Sequence, residues 1–277
     1  MKISKLIQNA LAEDKAYNDI TTKSVIPKGM KTNASLLAKQ DGIICGLKIF
    51  AQVFSYLDPS IKVRFFIKDG AKVRKGKIVA KLSGSARALL SGERTALNFI
   101  QHMSGIATLT AKYAGQMKGT KAKILDTRKT APGLREIEKY AVSCGGGFNH
   151  RLDLSEMALI KDNHLKMIKN LPETIKRMKK KHIKVEIEAE TISQAEDILN
   201  SKADIIMLDN MSITEIRKVS KIINEYKRKS NSKIKTEISG GVNLKNVREY
   251  AKTGVDRISV GALTHSAPAL DLSLEIQ

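Results

Sequence analysis

Apolar residues in the second half of the chain form short runs that alternate with longer amphipathic stretches. The apolar or β-branched runs lie at 123–125, 157–160, 185–189, 205–208, 235–238 and 257–260. Between them lie stretches with helical spacing of apolar residues, for instance 191–200, 213–224 and 244–253. Short strands that alternate with helices predict parallel βα units. Six units in succession indicate a small or incomplete (β/α) barrel, with a doubly wound open sheet as the alternative. The glycine fingerprint of a nucleotide-binding doubly wound sheet is absent from the sequence.

The first hundred residues follow a different pattern. A predicted amphipathic helix at the start carries on one face Ile3, Leu6, Ile7, Ala10 and Leu11. Short β-like runs follow at 34–39, 62–67 and 77–82, and the turn signals within 69–82 predict a β-meander. Residues 87–113 predict a long helix that is interrupted around Ser104-Gly105. We therefore expect a smaller mixed domain before the barrel.

The composition is that of a folded chain. Of its 277 residues, 42% are hydrophobic, which supports a core and argues against disorder. No apolar run approaches the roughly 18 residues that a membrane span needs, and the first residues are too polar for a signal peptide. Cys45 and Cys144 lie far apart in the sequence, which predicts neither a disulfide framework nor a metal site built on cysteines. A cytoplasmic protein is expected.

The formal net charge of +21 raises the possibility of a nucleic-acid-binding protein. However, the Lys-rich stretches at 176–184 and 217–235 carry apolar residues at helical spacing, which favours solvated helix faces. The aromatic residues that interleave with basic ones in single-strand binders are missing. A third explanation is that part of the charge attracts an anionic small substrate.

Polar residues follow or lie within the predicted barrel strands. They are Asp126-Thr127-Arg128-Lys129, Lys161-Asp162-Asn163-His164, Glu186, Glu188 and Glu190, Asp209-Asn210, Ser239-Gly240-Gly241 and Gly261. The carboxyl ends of parallel barrel strands open on one face, where active sites are built. Taken alone, the alternation of the three glutamates favours an ordinary solvated strand face. We interpret His164 and His265 as structural and Cys144 as a small packed residue.

The charge types indicate the ligand. Cations at Arg128, Lys129 and Lys161, with His150-Arg151, are suited to carboxylates. Backbone N–H groups at Ser239-Gly240-Gly241 and Ser259-Val260-Gly261 are suited to phosphate, as in many barrels. Glu188 and Asp209 are suited to Mg²⁺ on a phosphorylated substrate, or to a developing positive charge. The expected ligand carries a carboxylate and a phosphate ester.

Several long motifs are similar to those of one family. They are EDKAYNDITT at 13–22, SGERTALNFIQHMSGIAT at 91–108, DTRKTAPGLREIEKYAVSCGGGFNHR at 126–151, LIKDNH at 159–164, SGGV at 239–242 and TGVDRISVGALTHSAPALDLSL at 253–274. The chain thereby resembles the quinolinate phosphoribosyltransferases, also called carboxylating nicotinate-nucleotide pyrophosphorylases, nearly from end to end. Asn18, where glycine is common, and the variable stretch Asp153-Leu154-Ser155 depart from the family pattern.

The resemblance implies an α/β fold with an N-terminal α/β sandwich and an incomplete (β/α) barrel. The sandwich would comprise residues 1–104, rejoined by the tail 265–277, and the barrel residues 105–264. It also implies a homodimer, or a hexamer of dimers, with shared active sites. The implied reaction joins quinolinate to phosphoribosyl pyrophosphate with Mg²⁺ and no organic cofactor, and it yields nicotinate mononucleotide, pyrophosphate and CO₂ in NAD biosynthesis.

The resemblance also implies roles for individual residues. The quinolinate carboxylates would be held by Arg94 of a partner subunit, Arg128, His150, Arg151 and Lys161. The phosphoribosyl side would be faced by Lys129, Glu188, Asp209, Ser239, Gly240, Gly241, Ser259, Val260 and Gly261, with Thr127 also binding substrate. Lys129, Lys161, Glu188 and Asp209 are the expected catalytic residues, and Glu188 and Asp209 the possible direct or indirect Mg²⁺ ligands.

Two alternatives remain at this point. A paralogous pyrophosphorylase group associated with molybdate transport has the same fold and would use another base or acid; the arginine-rich pocket argues for quinolinate. The other alternative is a basic nucleic-acid-binding protein on a relic barrel, which predicts salt-dependent binding and no turnover.

Overall fold

The structure, a computed structural model, describes residues 3–277. Two compact units make up the chain. The first comprises the chain up to Ala111 together with Ala131–Gly146 and Thr264–Gln277, and the second comprises Lys112–Thr130 and Gly147–Leu263. Throughout the described range, no helix combines the length and the apolar character needed to cross a membrane.

The strands and helices alternate regularly only in the second half of the chain. The strands are β1 Lys31–Ala38, β2 Gly42–Ile43, β3 Lys62–Phe65, β4 Lys72–Val73, β5 Ile78–Ser85, β6 Lys123–Leu125, β7 Ala158–Ile160, β8 Val185–Ala189, β9 Ile205–Asp209, β10 Lys235–Ser239, β11 Arg257–Ser259 and β12 Leu272–Ile276. The helices are α1 Ile3–Glu13, α2 Ile20–Val25, α3 Leu47–Leu57, α4 Ala86–Gln116, α5 Arg135–Cys144, α6 Asp162–Leu165, α7 Leu171–Lys180, α8 Ile192–Asn200, α9 Ile213–Ser230, α10 Val247–Ala251 and α11 Ala262–His265.

The first unit is built on a four-stranded sheet in the order β12-β1-β5-β3, with antiparallel neighbours. Helix α1 packs against α3 and buries Ile7 and Leu11, as its amphipathic pattern predicts. On α3, Phe50 and Phe54 are fully buried in an edge-to-face pair with ring centroids 5.2 Å apart. The predicted β-meander is wrong, because β4 pairs with β2 in a separate two-stranded sheet.

Helix α4 is continuous, so the predicted interruption around Ser104-Gly105 is wrong. Ser104 is buried, and its hydroxyl accepts a hydrogen bond from Cys45 N at 2.9 Å. Gly105 has no Cβ because the backbone of Pro268 and Ala269 occupies that space. Both residues serve close packing inside an intact helix, which sequence alone does not distinguish from a break.

The second unit contains a six-stranded sheet in the order β6-β11-β10-β9-β8-β7, parallel throughout. The six predicted apolar runs match these strands to within one residue at each end. No ladder between β6 and β7 is recorded in the described range, so the sheet is an open barrel, and the predicted fold class is confirmed. Capping boxes begin two of its helices, at Thr191 for α8 and Ser212 for α9.

The two compact units differ in detail from the division that the family resemblance implies. The expected boundary between residues 104 and 105 falls inside α4, which continues from the first unit into the second. The segment Ala131–Gly146, which includes α5, clusters with the first unit although it follows the first barrel strand. Tyr140 on α5 illustrates the reason, since its hydroxyl donates to Asp69 Oδ2 of the first unit at 2.9 Å.

Candidate active site

A cleft of about 530 Å³ opens at the carboxyl ends of the barrel strands. Its walls, which we call the mouth, are formed by Thr127, Arg128, Lys129, His150, Arg151, Leu159, Lys161, Glu188, Met207, Asp209, Asn210, Ser239, Gly240, Gly241, Ser259 and Gly261. All six barrel strands contribute a residue at or after their carboxyl end. The parallel sheet thus brings together residues that are more than a hundred positions apart in the sequence.

Lys161 and Glu188 form an ion pair across the ends of β7 and β8. The Lys161 ammonium lies 2.8 and 3.1 Å from the two carboxylate oxygens of Glu188. Glu188 is buried, whereas the Lys161 side chain is 47% exposed. The backbone N–H of Lys161 donates to His164 Nδ1 at 3.0 Å, which gives that histidine the structural role expected of it. The ion pair therefore places a buried carboxylate and a half-exposed ammonium side by side in the mouth.

Arg128 and Arg151 place two guanidinium groups in the mouth. Arg151 donates to the Met157 carbonyl oxygen at 2.8 Å. Burial and the neighbouring charge of Arg128 lower the pKa of Arg151 below its usual value. Arg128 Nε is buried and has no hydrogen-bond partner within residues 3–277. Two mutually repelling cations and an unused buried donor are an arrangement that an anionic ligand stabilises.

His150 lies deeper, between two fully buried carboxylates. Its Nε2 is 3.1 Å from Glu186 Oε2 and 3.3 Å from Glu237 Oε1. Glu237 Oε1 also accepts a short hydrogen bond from the Ser259 hydroxyl. The backbone N–H of His150 donates to Asp126, which is also fully buried, at 2.9 Å. The two glutamates therefore hold the ring of His150, and Asp126, which follows β6, holds its backbone.

The two carboxylates control the charge of this histidine. Burial alone would lower the pKa of His150, but hydrogen bonds and charge from Glu186 and Glu237 outweigh it and raise the pKa to about 9. Burial also raises the pKa of Glu186. The backbone N–H of Arg151 approaches His150 Nδ1 at 2.7 Å, a contact that suits the neutral ring. The two carboxylates stabilise the protonated ring, whereas the single backbone amide stabilises the neutral ring. The carboxylates act on a full charge and therefore outweigh the amide, so the ring is charged.

The wall opposite Arg128 and Arg151 is formed by the loops after β9 and β10. Backbone geometry rather than charge determines its shape. Gly240 and Gly241 both have positive φ, at 87° and 63°. A Cβ at Gly240 would overlap the Asn210 side chain. Asn210 N donates to the Ser239 carbonyl oxygen at 3.0 Å, and Asn210 Nδ2 donates to Asp209 Oδ2 at 2.9 Å. The loops after β9 and β10 are therefore interlocked, and they hold Asp209 beside a glycine-rich turn.

Two of the sequence-predicted residues do not line the mouth. Val260 is buried, and its backbone N–H donates to the Leu125 carbonyl oxygen at 2.9 Å, so this amide continues the sheet pairing. Arg94 is an exposed residue on α4 in the first unit. The other predicted residues, from Thr127 to Gly261, all line the cleft.

Sequence reasoning assigned no role to the glutamates beneath the cleft. Glu237 lies inside an apolar or β-branched run and Glu186 belongs to an alternating series of glutamates, so neither stands out in the sequence. Each is a charged residue two positions before a mouth residue, Glu188 or Ser239, and its two neighbours along the strand are buried. A charged residue inside a strand that is buried on both faces requires a partner. That requirement is the sequence feature that could have indicated a buried ionic cluster.

The chain matches the two halves of one family description. Residues 19–104 match the profile "Quinolinate phosphoribosyl transferase, N-terminal domain", and residues 106–275 match "Quinolinate phosphoribosyl transferase, C-terminal domain". The two profiles together cover most of the sequence, including every residue that lines the mouth.

Named relatives and solved structures are similar over their full length. A probable carboxylating nicotinate-nucleotide pyrophosphorylase of Bacillus subtilis (strain 168) is 39% identical, covering 100% of this chain and 94% of the relative. A protein of the same name from Methanocaldococcus jannaschii is 41% identical over 98% and 96%. The crystal structure of nicotinate-nucleotide pyrophosphorylase from Ehrlichia chaffeensis superposes with a TM-score of 0.91 at 40% identity, covering 100% of this chain and 99% of that one.

Proposed function

Because this chain belongs to the quinolinate phosphoribosyltransferase family, we propose that its mouth joins quinolinate to phosphoribosyl pyrophosphate. The products are nicotinate mononucleotide, pyrophosphate and CO₂, and the reaction serves NAD biosynthesis. The observation that carries this proposal is the division of the mouth into a guanidinium-rich wall and a wall of carboxylates and glycine turns. The molybdate-associated and nucleic-acid alternatives lack such support from the relatives.

Quinolinate, a pyridine dicarboxylate, fits the cationic wall. Arg128 and Arg151 each offer a planar fork for a carboxylate, and Arg128 Nε is a buried donor that such a ligand would satisfy. His150, whose Nε2 faces Glu186 and Glu237, adds positive charge near the carboxylate site rather than a hydrogen bond to it. Lys161 can turn from Glu188 toward a substrate carboxylate, since its side chain is half exposed. The wall therefore binds and orients the ring so that its nitrogen faces the ribose.

The phosphoribosyl donor fits the opposite wall. Lys129 attracts its phosphate groups as a point charge. The positive φ values of Gly240 and Gly241 turn the loop after β10 so that phosphate oxygens can approach its backbone. Ser259 and Gly261 continue this wall at the end of β11, next to Ser239. Glu188 and Asp209, at the carboxyl ends of β8 and β9, would face the ribose.

The chemistry follows from this placement. The bond between C1′ and the pyrophosphate oxygen breaks, its electron pair leaves with pyrophosphate, and the pyridine nitrogen donates the pair that forms the new bond to C1′. Glu188 and Asp209 stabilise the positive charge that develops on the ribose. The bond from C2 to its carboxylate then breaks, its electron pair remains on C2 beside the positive ring nitrogen, CO₂ leaves, and C2 takes up a proton.

A Mg²⁺ ion fits the donor set of the mouth. Glu188 and Asp209 supply carboxylate oxygens at the ends of adjacent strands, the ligand type that Mg²⁺ prefers. Because Lys161 already pairs with both Glu188 oxygens, we expect few direct protein ligands and retained water molecules. Bound there, the ion would neutralise charge on the pyrophosphate group. No organic cofactor is part of the proposal.

The deciding experiment incubates the purified protein with quinolinate, phosphoribosyl pyrophosphate and Mg²⁺ and measures nicotinate mononucleotide and released CO₂. We expect both products in equal amounts, and their loss when Mg²⁺ is chelated. An Asp209→Asn variant should be much slower, whereas Lys229→Gln on the exposed face of α9 is a matched charge-changing control that should keep full activity. Absence of product above background with wild-type protein would refute the proposal.

We further propose a cytoplasmic homodimer, or a hexamer of dimers, in which Arg94 acts in the mouth of the partner subunit. The proposal rests on the exposed position of Arg94 on α4 and on the need of a dicarboxylate for cations on several sides. The two cysteines, far apart in the sequence, suit a reducing compartment.

Mixing two inactive variants tests the shared site. Arg94→Ala and Lys161→Ala should each be nearly inactive alone, whereas an equal mixture of exchanged subunits should recover about a quarter of wild-type activity, because hybrid dimers regain one intact site. Native mass spectrometry would establish that hybrids form and would distinguish a dimer from a hexamer. Confirmed hybrids without recovered activity would contradict the shared site.

A further inference from the structure

The two cysteines of the chain meet in the first unit, although ninety-eight residues separate them. Cys45 is fully buried just before α3, and Cys144, at the last turn of α5, is partly exposed. Their sulfur atoms and a carboxylate oxygen of Asp69 all lie within 4.8 Å of one another. Sequence spacing gave no indication of this pair, because the fold and not a local motif brings the residues together.

Asp69 holds the surroundings of the pair in place. Its Oδ1 accepts the backbone N–H groups of Gly46 and Leu47, at 3.0 and 3.1 Å, beside Cys45. Its Oδ2 accepts the hydroxyl of Tyr140, one helical turn before Cys144. One carboxylate thus fixes the chain on both sides of the two sulfur atoms. Because both of its oxygens are already engaged, Asp69 would have to give up hydrogen bonds to ligate a metal ion.

The two thiols differ in reactivity. The neighbouring Cys45 thiol lowers the pKa of Cys144 against the opposing effects of burial and of the Asp69 charge. The proximity of Cys144, together with burial, raises the pKa of Cys45. Thiolates, not thiols, attack peroxides, so the partly exposed Cys144 is the reactive member. Cys45 is a second, fully buried thiol beside it.

We propose that Cys45 and Cys144 form a redox-active pair that closes to an intramolecular disulfide on reaction with a hydroperoxide such as hydrogen peroxide. The Cys144 thiolate attacks one peroxide oxygen, the O–O bond breaks, and the departing hydroxide takes a proton to become water. The resulting sulfenic acid is attacked by Cys45 Sγ, the S–O bond breaks, and the Cys45 proton leaves in the second water molecule. Two thiols are oxidised by two electrons, and one peroxide is reduced.

This site is separate from the proposed phosphoribosyl transfer. None of its residues lines the mouth, so its test does not depend on any activity of the protein. Closure to a bond of about 2.05 Å requires the sulfur atoms to approach further. Gly146, two residues after Cys144, has a positive φ and open space around it, which gives this end of α5 room to adjust.

The test treats the reduced, full-length protein with equimolar hydrogen peroxide, alkylates it after unfolding and measures the intact mass. We expect a species two hydrogens lighter than the reduced chain, not alkylated, and restored by dithiothreitol. Since the chain has only two cysteines, a disulfide within one chain has a single assignment, and a linked peptide would verify it. Two alkylatable thiols after peroxide, or a disulfide only between chains, would overturn the proposal.

Variants test the order of the steps. Cys45→Ser should stop at a Cys144 sulfenic acid that dimedone traps, whereas Cys144→Ser should leave Cys45 unreactive until the protein is unfolded. Dimedone trapping on Cys45 instead of Cys144 would reverse the assignment. Retention of one Zn²⁺ per chain after dialysis, with both thiols protected, would identify a metal site and overturn the disulfide.

Discussion

At the scale of single residues, the mouth depends on charges whose partners lie beneath it. His150 lines the cleft, but Glu186 and Glu237 decide its charge from a fully buried position. Ser259 links this cluster to the opposite wall, because its hydroxyl donates to Glu237. A substitution of either glutamate would therefore alter the charge of His150 in the mouth, although neither glutamate lines the mouth itself.

The raised pKa of His150 predicts how stability depends on pH. Its folded-state pKa is about 9, above the value of about 6.5 for an unfolded chain. The stabilisation by the charged ring is thus fully present below about pH 6.5 and is lost as pH rises through about 9. Unfolding free energies of wild type and His150→Gln, measured by urea denaturation from pH 6 to pH 10, should converge at the alkaline end. A difference that stays constant with pH would contradict the charged state.

Arg128 predicts a selective effect on one substrate. Arg128→Ala removes a bidentate carboxylate partner and the buried Nε donor, so the KM for quinolinate should rise at least tenfold. Arg128→Lys should recover little, because an ammonium has no fork. The KM for phosphoribosyl pyrophosphate serves as the internal control and should change far less. An unchanged quinolinate KM would remove Arg128 from that role.

Site residues that follow a barrel strand could be predicted from the sequence more easily than site residues inside a strand or on another element. Thr127, Lys161 and Asp209 come directly after or at the end of apolar runs, so parallel-strand geometry places them on one face. Glu237 was missed because a buried charge looks like any other alternating strand residue until its partners are known. The proposed role of Arg94 depends on a second chain, which no intrachain pattern describes.

At the scale of elements, the barrel strands were predictable and the packing of α4 was not. Parallel strands that are buried on both faces have short continuous apolar runs, and the ends of each run mark the ends of the strand. Ser104-Gly105 looked like a break because serine and glycine are poor helix formers. Their actual partners, Cys45 for Ser104 and Pro268 for Gly105, come from remote parts of the first unit.

Two glycines in α4 give a matched pair of predictions. Gly105→Ala should lower the free energy of unfolding by more than about 1 kcal/mol, because the new Cβ overlaps the Pro268 backbone. Gly115→Ala, in open space on the same helix, should raise it by about 0.5–1 kcal/mol through helix propensity. Chemical denaturation of both variants provides the comparison, and equal effects of the two changes would argue against the close approach at Gly105.

At the scale of the whole molecule, the net charge of +21 is spread along the chain, and residues 1–111 alone carry 18 Lys and Arg against 7 Asp and Glu. The exposed faces of α7 and α9 and the cationic wall of the mouth contribute part of the remainder. The prediction of solvated faces is confirmed, since Ile175 on α7 and Ile223 on α9 are buried while lysines such as Lys176 and Lys229 are exposed. The large charge therefore does not by itself indicate a nucleic-acid surface.

Binding to DNA should be weak and electrostatic. A fluorescent single-stranded oligonucleotide should lose most of its affinity between about 50 and 200 mM salt, because only counterion release drives the association. The same oligonucleotide should leave product formation unchanged at about 150 mM salt. Tight binding that persists at high salt, or strong inhibition of turnover, would revive the nucleic-acid alternative.

The order of the barrel sheet also has a consequence for how the protein is made. Strand β6 pairs with β11, with Lys123 opposite Arg257, so Arg128 reaches its final surroundings only after most of the intervening chain has been synthesised. Closing so long a loop costs entropy that local contacts cannot offset early. We expect the β8–β9–β10 core to assemble first and β6 to dock late on the ribosome. The guanidinium wall of the mouth would then be among the last parts of the protein to become functional.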